Sequence, residues 1–168
     1  MAACDAPVNK VGMVCDGVFA QQSAQDIERA IQVNLVSAIY LTKLIFRERL
    51  ALRMPGVVVV AGSIVAIPGY CVLAVCPAAN GALSPFGRSL SREMGAMEFR
   101  ITTLLPGSIA TDMSRRLSES RREQVVRRTP LGRLGTVDNV SPVVRLLLSD
   151  GARFISGRQI VADGGLTT

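Results

Sequence analysis

Val57-Val58-Val59-Val60-Ala61-Gly62-Ser63 is followed, thirteen residues after its serine, by Cys76-Pro77-Ala78-Ala79-Asn80. The valine run is short, β-branched and flanked by turn formers, which predicts a strand buried on both faces of a parallel sheet. Ser63 then ends a central strand, at the edge of an open α/β sheet where the outgoing loops diverge into a ligand crevice. Cys76 opens a predicted helix, and Asn80, four residues on, shares its face. Ser63, Cys76 and Asn80 are expected to converge on one pocket.

The 168 residues suit a single domain over 1–168, and 49% of them are apolar, enough for a real core. The chain has no histidine, which excludes Ser-His-Asp and Cys-His catalysis. Cys4, Cys15, Cys71 and Cys76 lack C-x-x-C spacing as well as a histidine partner, so no metal site is expected. No run reaches the roughly 20 apolar residues of a membrane span, and Met1–Lys10 lacks the pattern of a secretion signal. The chain therefore reads as soluble and cytoplasmic, without a membrane partner. Its net charge of +6 is concentrated between Arg115 and Arg133, a basic stretch suited to an acidic partner or to a solvated helix face. Few aromatic residues and no binding module argue against nucleic acid.

Ser23-Ala24-Gln25-Asp26 has the pattern of a helix N-cap, and Ile27, Ile31, Leu35, Ala38, Leu41 and Ile45 recur at helical spacing towards Arg53. Pro85 is expected to kink or break the helix that Cys76 opens. Arg100–Leu105 reads as the next buried strand and leads into Pro106-Gly107-Ser108-Ile109-Ala110-Thr111. Asp138–Ser149 reads as a helix capped near Asp138, with Pro142 in its first turn.

Taken in order, several segments resemble the short-chain dehydrogenase/reductase family. Asn9-Lys10-Val11-Gly12 matches its Asn-Asn-Ala-Gly motif at two of four positions, and Asn34 the Asn of its catalytic tetrad. Ser63 matches its catalytic serine, but Cys76 and Asn80 stand at the Tyr and Lys of its Tyr-x-x-x-Lys motif. Pro106–Thr111 resembles its Pro-Gly-x-x-x-Thr segment, and Ile155–Gly165 its last strand. The 3-oxoacyl-acyl-carrier-protein reductase branch is most similar. The resemblance implies an α/β fold, a truncated Rossmann-like parallel sheet of about four strands flanked by helices, with the first three family strands missing.

No G-x-x-x-G-x-G occurs in the chain, so a pyrophosphate cradle at a helix N-terminus is not expected. With the Tyr and Lys also replaced, the expectation is a degenerate reductase that needs no cofactor, Ile109 and Thr111 being vestigial nicotinamide contacts. Ser63, Cys76, Asn80, Asn34 and Tyr70 are then the candidate site for cyclisation, dehydration or thioester chemistry on a polyketide- or acyl-type substrate, Cys76 as nucleophile and Tyr70 as replacement acid. The alternative is a non-catalytic subunit that assembles with a full-length reductase. A homo-oligomer or such a hetero-oligomer is expected from the family's interface helices, and an acyl carrier protein is a candidate partner of Arg115, Arg116, Arg121 and Arg122.

Overall fold

Val57–Ala61 is the spine of a four-stranded, all-parallel sheet in the computed structural model of the chain, which describes residues 7–9, 12–115 and 117–168. Strands β1 (Val8–Asn9), β2 (Gly56–Ala61), β3 (Phe99–Pro106) and β4 (Arg158–Ala162) lie side by side in that order. Val59 of β2 pairs with Thr102 of β3, and Leu104 of β3 with Ile160 of β4. The expected α/β architecture of about four strands flanked by helices is the one found.

Both faces of the sheet are covered, which is why β2 and β3 read as unbroken apolar runs. Val58 and Val60 point into a cluster with Ala38, Ile45, Phe46, Leu83, Met94, Phe99 and Ile101. Val59 points the other way, towards Leu104, Leu147 and Ala152. Each of the three valines is essentially inaccessible, a burial that contributes about 2 kcal/mol per side chain. The rings of Phe46 and Phe99 meet edge to face, their centroids 4.8 Å apart.

The first face is covered by α2 (Ser37–Ala51) and α4 (Leu83–Met94), while α1 (Ala24–Ile31) and α3 (Val75–Gly81), which lead into them, pack on each other. Ser23 caps α1 as expected: its Oγ accepts the Asp26 N–H at 3.1 Å. Between α1 and α2 the helix widens into a π-helical turn, Gln32–Val36, centred on Asn34. Pro85 does break the Cys76 helix. α3 stops at Gly81 and α4 starts at Leu83, so the missing N–H of Pro85 falls within the first turn of a new helix.

On the other face lies α7 (Val137–Leu148), and here the expectation needs correction. The helix is capped at Thr136, not near Asp138, because Asn139 Oδ1 accepts the Thr136 N–H at 2.9 Å. Pro142 is consequently inside the helix and not in its first turn. Arg100 of β3 holds the far end of α7, its guanidinium donating to the carbonyls of Leu147, Ser149 and Ala152 at 2.9–3.2 Å.

Short helices α5 (Asp112–Arg115) and α6 (Glu119–Arg128) follow β3, and no residue of α6 is buried. After β4, Asp163 closes the terminal turn by accepting from Gly165 N–H, Thr167 N–H and Thr167 Oγ1 at 2.7–2.9 Å. Burial alone would raise the Asp163 carboxyl, but the Thr167 hydroxyl and the two N–H donors outweigh it and hold it below the ordinary value of 3.8. The stabilisation is therefore complete above about pH 4 and is lost as the pH falls through the lower folded value. Acid unfolding of Asp163→Asn is expected to show a shallower pH dependence below pH 4 than the parent; identical curves would remove Asp163 from the acid response.

Candidate functional site

The carboxyl ends of β1, β2 and β3 meet at one edge of the sheet. Ser63 leaves β2 there, and the Gly62 N–H still bonds Leu104 O of β3 at 2.9 Å, so the Ser63 and Pro106 loops depart from adjacent strands. Ser63 Oγ accepts the Val65 N–H at 3.3 Å and caps a short 3-10 turn, Ile64–Ala66. Among the described residues its own hydroxyl proton has no acceptor, which leaves it free to donate into the crevice.

Asn34 is 3% exposed, and both ends of its amide are used. Its Oδ1 accepts Met13 N–H at 2.7 Å and its Nδ2 donates to Met13 O at 3.0 Å. The π-helical turn gives this side chain its reach: the wider turn moves Asn34 out of the regular helical ladder towards the segment that leaves β1. Asn34 thereby acts as a clamp on Gly12–Asp16.

Cys76 is also turned towards that segment. Its sulfur accepts Cys15 N–H at 3.0 Å and lies 3.7 Å from Met13 O, with 5% of the residue exposed. Asn80 donates to Cys76 O at 2.9 Å, one turn back along α3, and its Oδ1 faces the Cα of Gly62. Asn34 and Cys76 thus converge on Met13, whereas Asn80 and Ser63 lie at the β2 end. Tyr70 is half-buried in the loop before α3, where Val72 adopts a left-handed backbone (φ 59°), a costly conformation for a β-branched residue. That loop is tied down by the Gly17 N–H, which donates to Val72 O at 2.9 Å. Met13 is the hub that sequence reasoning missed, because it takes part through its backbone and its residue type carries no signal.

The Pro106–Thr111 segment forms a fixed shelf beside β3. Gly107 N–H donates to Ala162 O at 2.9 Å, and Ala110 N–H to Gly135 O at 2.9 Å. Gly135 N–H donates to Ser108 O at 2.9 Å. Between these bonds the Ile109 N–H has no acceptor among the described residues, and Thr111 Oγ1 makes only a 3.5 Å contact with Ile109 O. A free N–H and a hydroxyl two residues apart, on an anchored shelf at the strand ends, can receive a group that both donates and accepts, such as a planar amide. Asn9 Nδ2, buried at the end of β1, is a further donor without a partner among the described residues. Lys10 and Val11 of the same motif, and Arg116 of the basic stretch, lie outside those residues.

A family model described as Enoyl-(Acyl carrier protein) reductase matches residues 1–167. The chain belongs to the short-chain dehydrogenase/reductase family. Among curated relatives, the 3-oxoacyl-[acyl-carrier-protein] reductase FabG of Pseudomonas aeruginosa is 33% identical over 159 residues, covering 95% of this chain and 64% of the relative. FabG of Escherichia coli is 32% identical over 162 residues, covering 96% and 66%. The chain thus spans about two thirds of the length of these relatives. Among solved structures, an Agrobacterium tumefaciens protein described as a candidate 2-deoxy-D-gluconate 3-dehydrogenase, with bound NADP, superposes with a TM-score of 0.93 at 25% identity. It covers 96% of this chain, which in turn covers 67% of that one. A 4-hydroxyisoleucine dehydrogenase complexed with NADH and succinate shares the fold, with a TM-score of 0.92 at 24% identity, covering 98% of this chain and 69% of its own.

These likenesses correct the functional expectation. The chain was expected to be a cofactor-independent cyclase, lyase or acyl-transfer enzyme on a polyketide- or acyl-type substrate, or else a non-catalytic partner of a reductase, and in either case not an oxidoreductase. The curated relatives are named as reductases, and the Agrobacterium tumefaciens dehydrogenase structure holds NADP. Cys76 and Asn80 are two side-chain replacements, whereas the Ile109–Thr111 shelf is held by main-chain bonds that they do not touch.

Proposed function

We propose that this chain forms the substrate side and the nicotinamide end of an NAD(P)-dependent oxidoreductase that reduces the keto group of an acyl-type substrate. The observation that carries this reading is the anchored Pro106–Thr111 shelf, with the Thr111 hydroxyl and an Ile109 N–H that has no partner among the described residues, near the Ser63 hydroxyl on the loop that leaves the adjacent strand. A bound nicotinamide supplies the hydride. Ser63 would donate a hydrogen bond to the substrate carbonyl oxygen, and the Ile109 N–H and the Thr111 hydroxyl would hold the ring by its carboxamide.

The proton for the new alcohol needs a donor other than Cys76, whose sulfur is engaged by the Cys15 and Met13 backbone. Tyr70, on its strained and anchored loop, is the candidate. Asn80 lies over the β2 end and lends a neutral amide where the family has a lysine.

Titration of the protein with NADPH and NADH, followed by turnover of a 3-oxoacyl thioester, tests the reading. Binding of one nucleotide and its oxidation with the thioester are expected, and Tyr70→Phe should slow turnover by about tenfold to hundredfold while leaving nucleotide binding unchanged. Absence of both binding and turnover would overturn it. Equal rates for the parent and Tyr70→Phe would reject Tyr70 alone.

For partners, the exposed arginines of α5 and α6 favour an acidic acyl carrier. Among the described arginines of α5 and α6, Arg115 is ion-paired with Asp112 at 2.9 Å, and Arg121 and Arg122 are left for a partner. Self-association is supported by Tyr40, Leu41 and Leu44, three neighbouring apolar residues exposed on α2. Leu44→Glu is expected to shift the protein to a smaller species in light scattering; an unchanged mass would place any interface elsewhere. Among the described residues no helix is long and apolar enough to cross a membrane. A cytoplasmic location accords with a nicotinamide-dependent acyl reductase.

A further inference from the structure

Cys15 and Cys76 are free thiols, 7% and 5% exposed, packed in one small cluster with Ala30 and Val75. Cys15 lies in the segment leaving β1, and Cys76 in the first turn of α3. The Cys76 sulfur is 3.0 Å from Cys15 N and 3.6 Å from Cys15 O. A sulfur that close to both main-chain polar atoms puts the two Cα atoms no more than about 7 Å apart, near the upper limit for a disulfide. Among the described residues the Cys15 sulfur makes only a long 3.9 Å contact with Asp26 O, so little there opposes its rotation towards Cys76.

We propose that Cys15 and Cys76 constitute a redox-modification site, closed to an intramolecular disulfide by exchange with a small disulfide such as oxidised glutathione. One cysteine loses its proton and attacks the oxidant, releasing one glutathione thiol and forming a mixed disulfide. The second cysteine loses its proton and displaces the other glutathione. Two S–H bonds of the chain and the S–S bond of the oxidant become one S–S bond in the chain and two glutathione S–H bonds. The chain is oxidised by two electrons and the glutathione is reduced.

The exchange is slow at rest, for two reasons. Both sulfurs are buried, so the oxidant must wait for the Gly12–Asp16 segment to open locally, at the clamp made by Asn34 and Cys76. Burial, followed by the neighbouring Cys76, Asp26 and Asp16, also holds the Cys15 thiol above its ordinary value of 9.0, so it stays protonated at neutral pH. Once formed, the bond fixes the segment held by Asn34 to the helix that carries Asn80. One wall of the crevice becomes covalent.

The test uses the full chain with Cys4→Ser and Cys71→Ser, which removes the exposed thiol of Cys71 as a competing site. After exposure to oxidised glutathione, unfolding and alkylation, a single linked peptide pair containing Cys15 and Cys76 is expected, together with the loss of two alkylatable thiols. The thermal midpoint should rise by about 10 °C and return on treatment with dithiothreitol, because the bond closes a loop of some sixty residues. Replacing Cys76 by Ser in this background should abolish the link. Full alkylation of both cysteines after prolonged exposure, or separate glutathione adducts without a link, would overturn the proposal; either outcome is read without reference to activity.

Discussion

Gly107→Ala is expected to lower stability by about 3 kcal/mol or more and to abolish ordered binding at the Pro106–Thr111 shelf. A Cβ at this position would lie 2.6 Å from Asp163 Cα and 2.8 Å from Asp163 Cβ, an overlap with main chain that no side-chain rotation relieves. The Gly107 N–H bond to Ala162 O, which attaches the shelf to the end of β4, must lengthen or break. The strain also reaches the terminal turn, where Asp163 accepts three hydrogen bonds from Gly165 and Thr167. Urea unfolding reads the stability and nucleotide titration reads the shelf. A variant as stable as the parent would show that β4 and the shelf separate freely, contrary to the packing described.

Asn34→Ala should cost about 3 kcal/mol, since it removes the partner of the Met13 N–H and leaves the Met13 carbonyl only the weak Cys76 S–H at 3.7 Å. Asn34→Asp distinguishes the clamp from simple space filling. A carboxylate still accepts from the Met13 N–H, but it cannot donate to the Met13 carbonyl and sets charge against it. Protonation restores a donor, so Asn34→Asp is expected to be severely destabilised at neutral pH and to regain stability as the pH is lowered. The sign is that of a carboxyl whose folded value is raised: the neutral form is favoured in the native state, and the deficit grows as the pH rises through the unfolded value. A pH-independent loss equal to that of Asn34→Ala would rule out the two-ended clamp.

Much of the fold was legible because its cause is periodic. The Val57–Ala61 and Arg100–Leu105 runs are apolar on consecutive residues, a pattern that only a sheet covered on both faces satisfies. Ser23 and Asp26 announced a helix start, and Pro85 announced the break between α3 and α4. The start of α7 was misread because two candidate caps, Thr136 and Asp138, lie two residues apart, and only the Asn139 side chain decided between them. The site was legible in part. Ser63 stands at a strand end as its position implied, while the direction of the Cys76 sulfur was not encoded in its spacing from Ser63.

By itself, the order of residues determined the parallel sheet, the capped helices and the family, since strand burial, capping and turn chemistry act over a few neighbours. It also placed Ser63, Ile109 and Thr111 on loops at one sheet edge. The tertiary structure alone decided what the remaining polar groups do. Cys76 and Asn34 meet at Met13, the Ile109 N–H has no partner among the described residues, and Cys15 lies against Cys76, because hydrogen bonds between segments far apart in the chain depend on how helices settle on the sheet. On the Met13 and Cys15 side such contacts use backbone atoms common to every residue, and no residue type announces them.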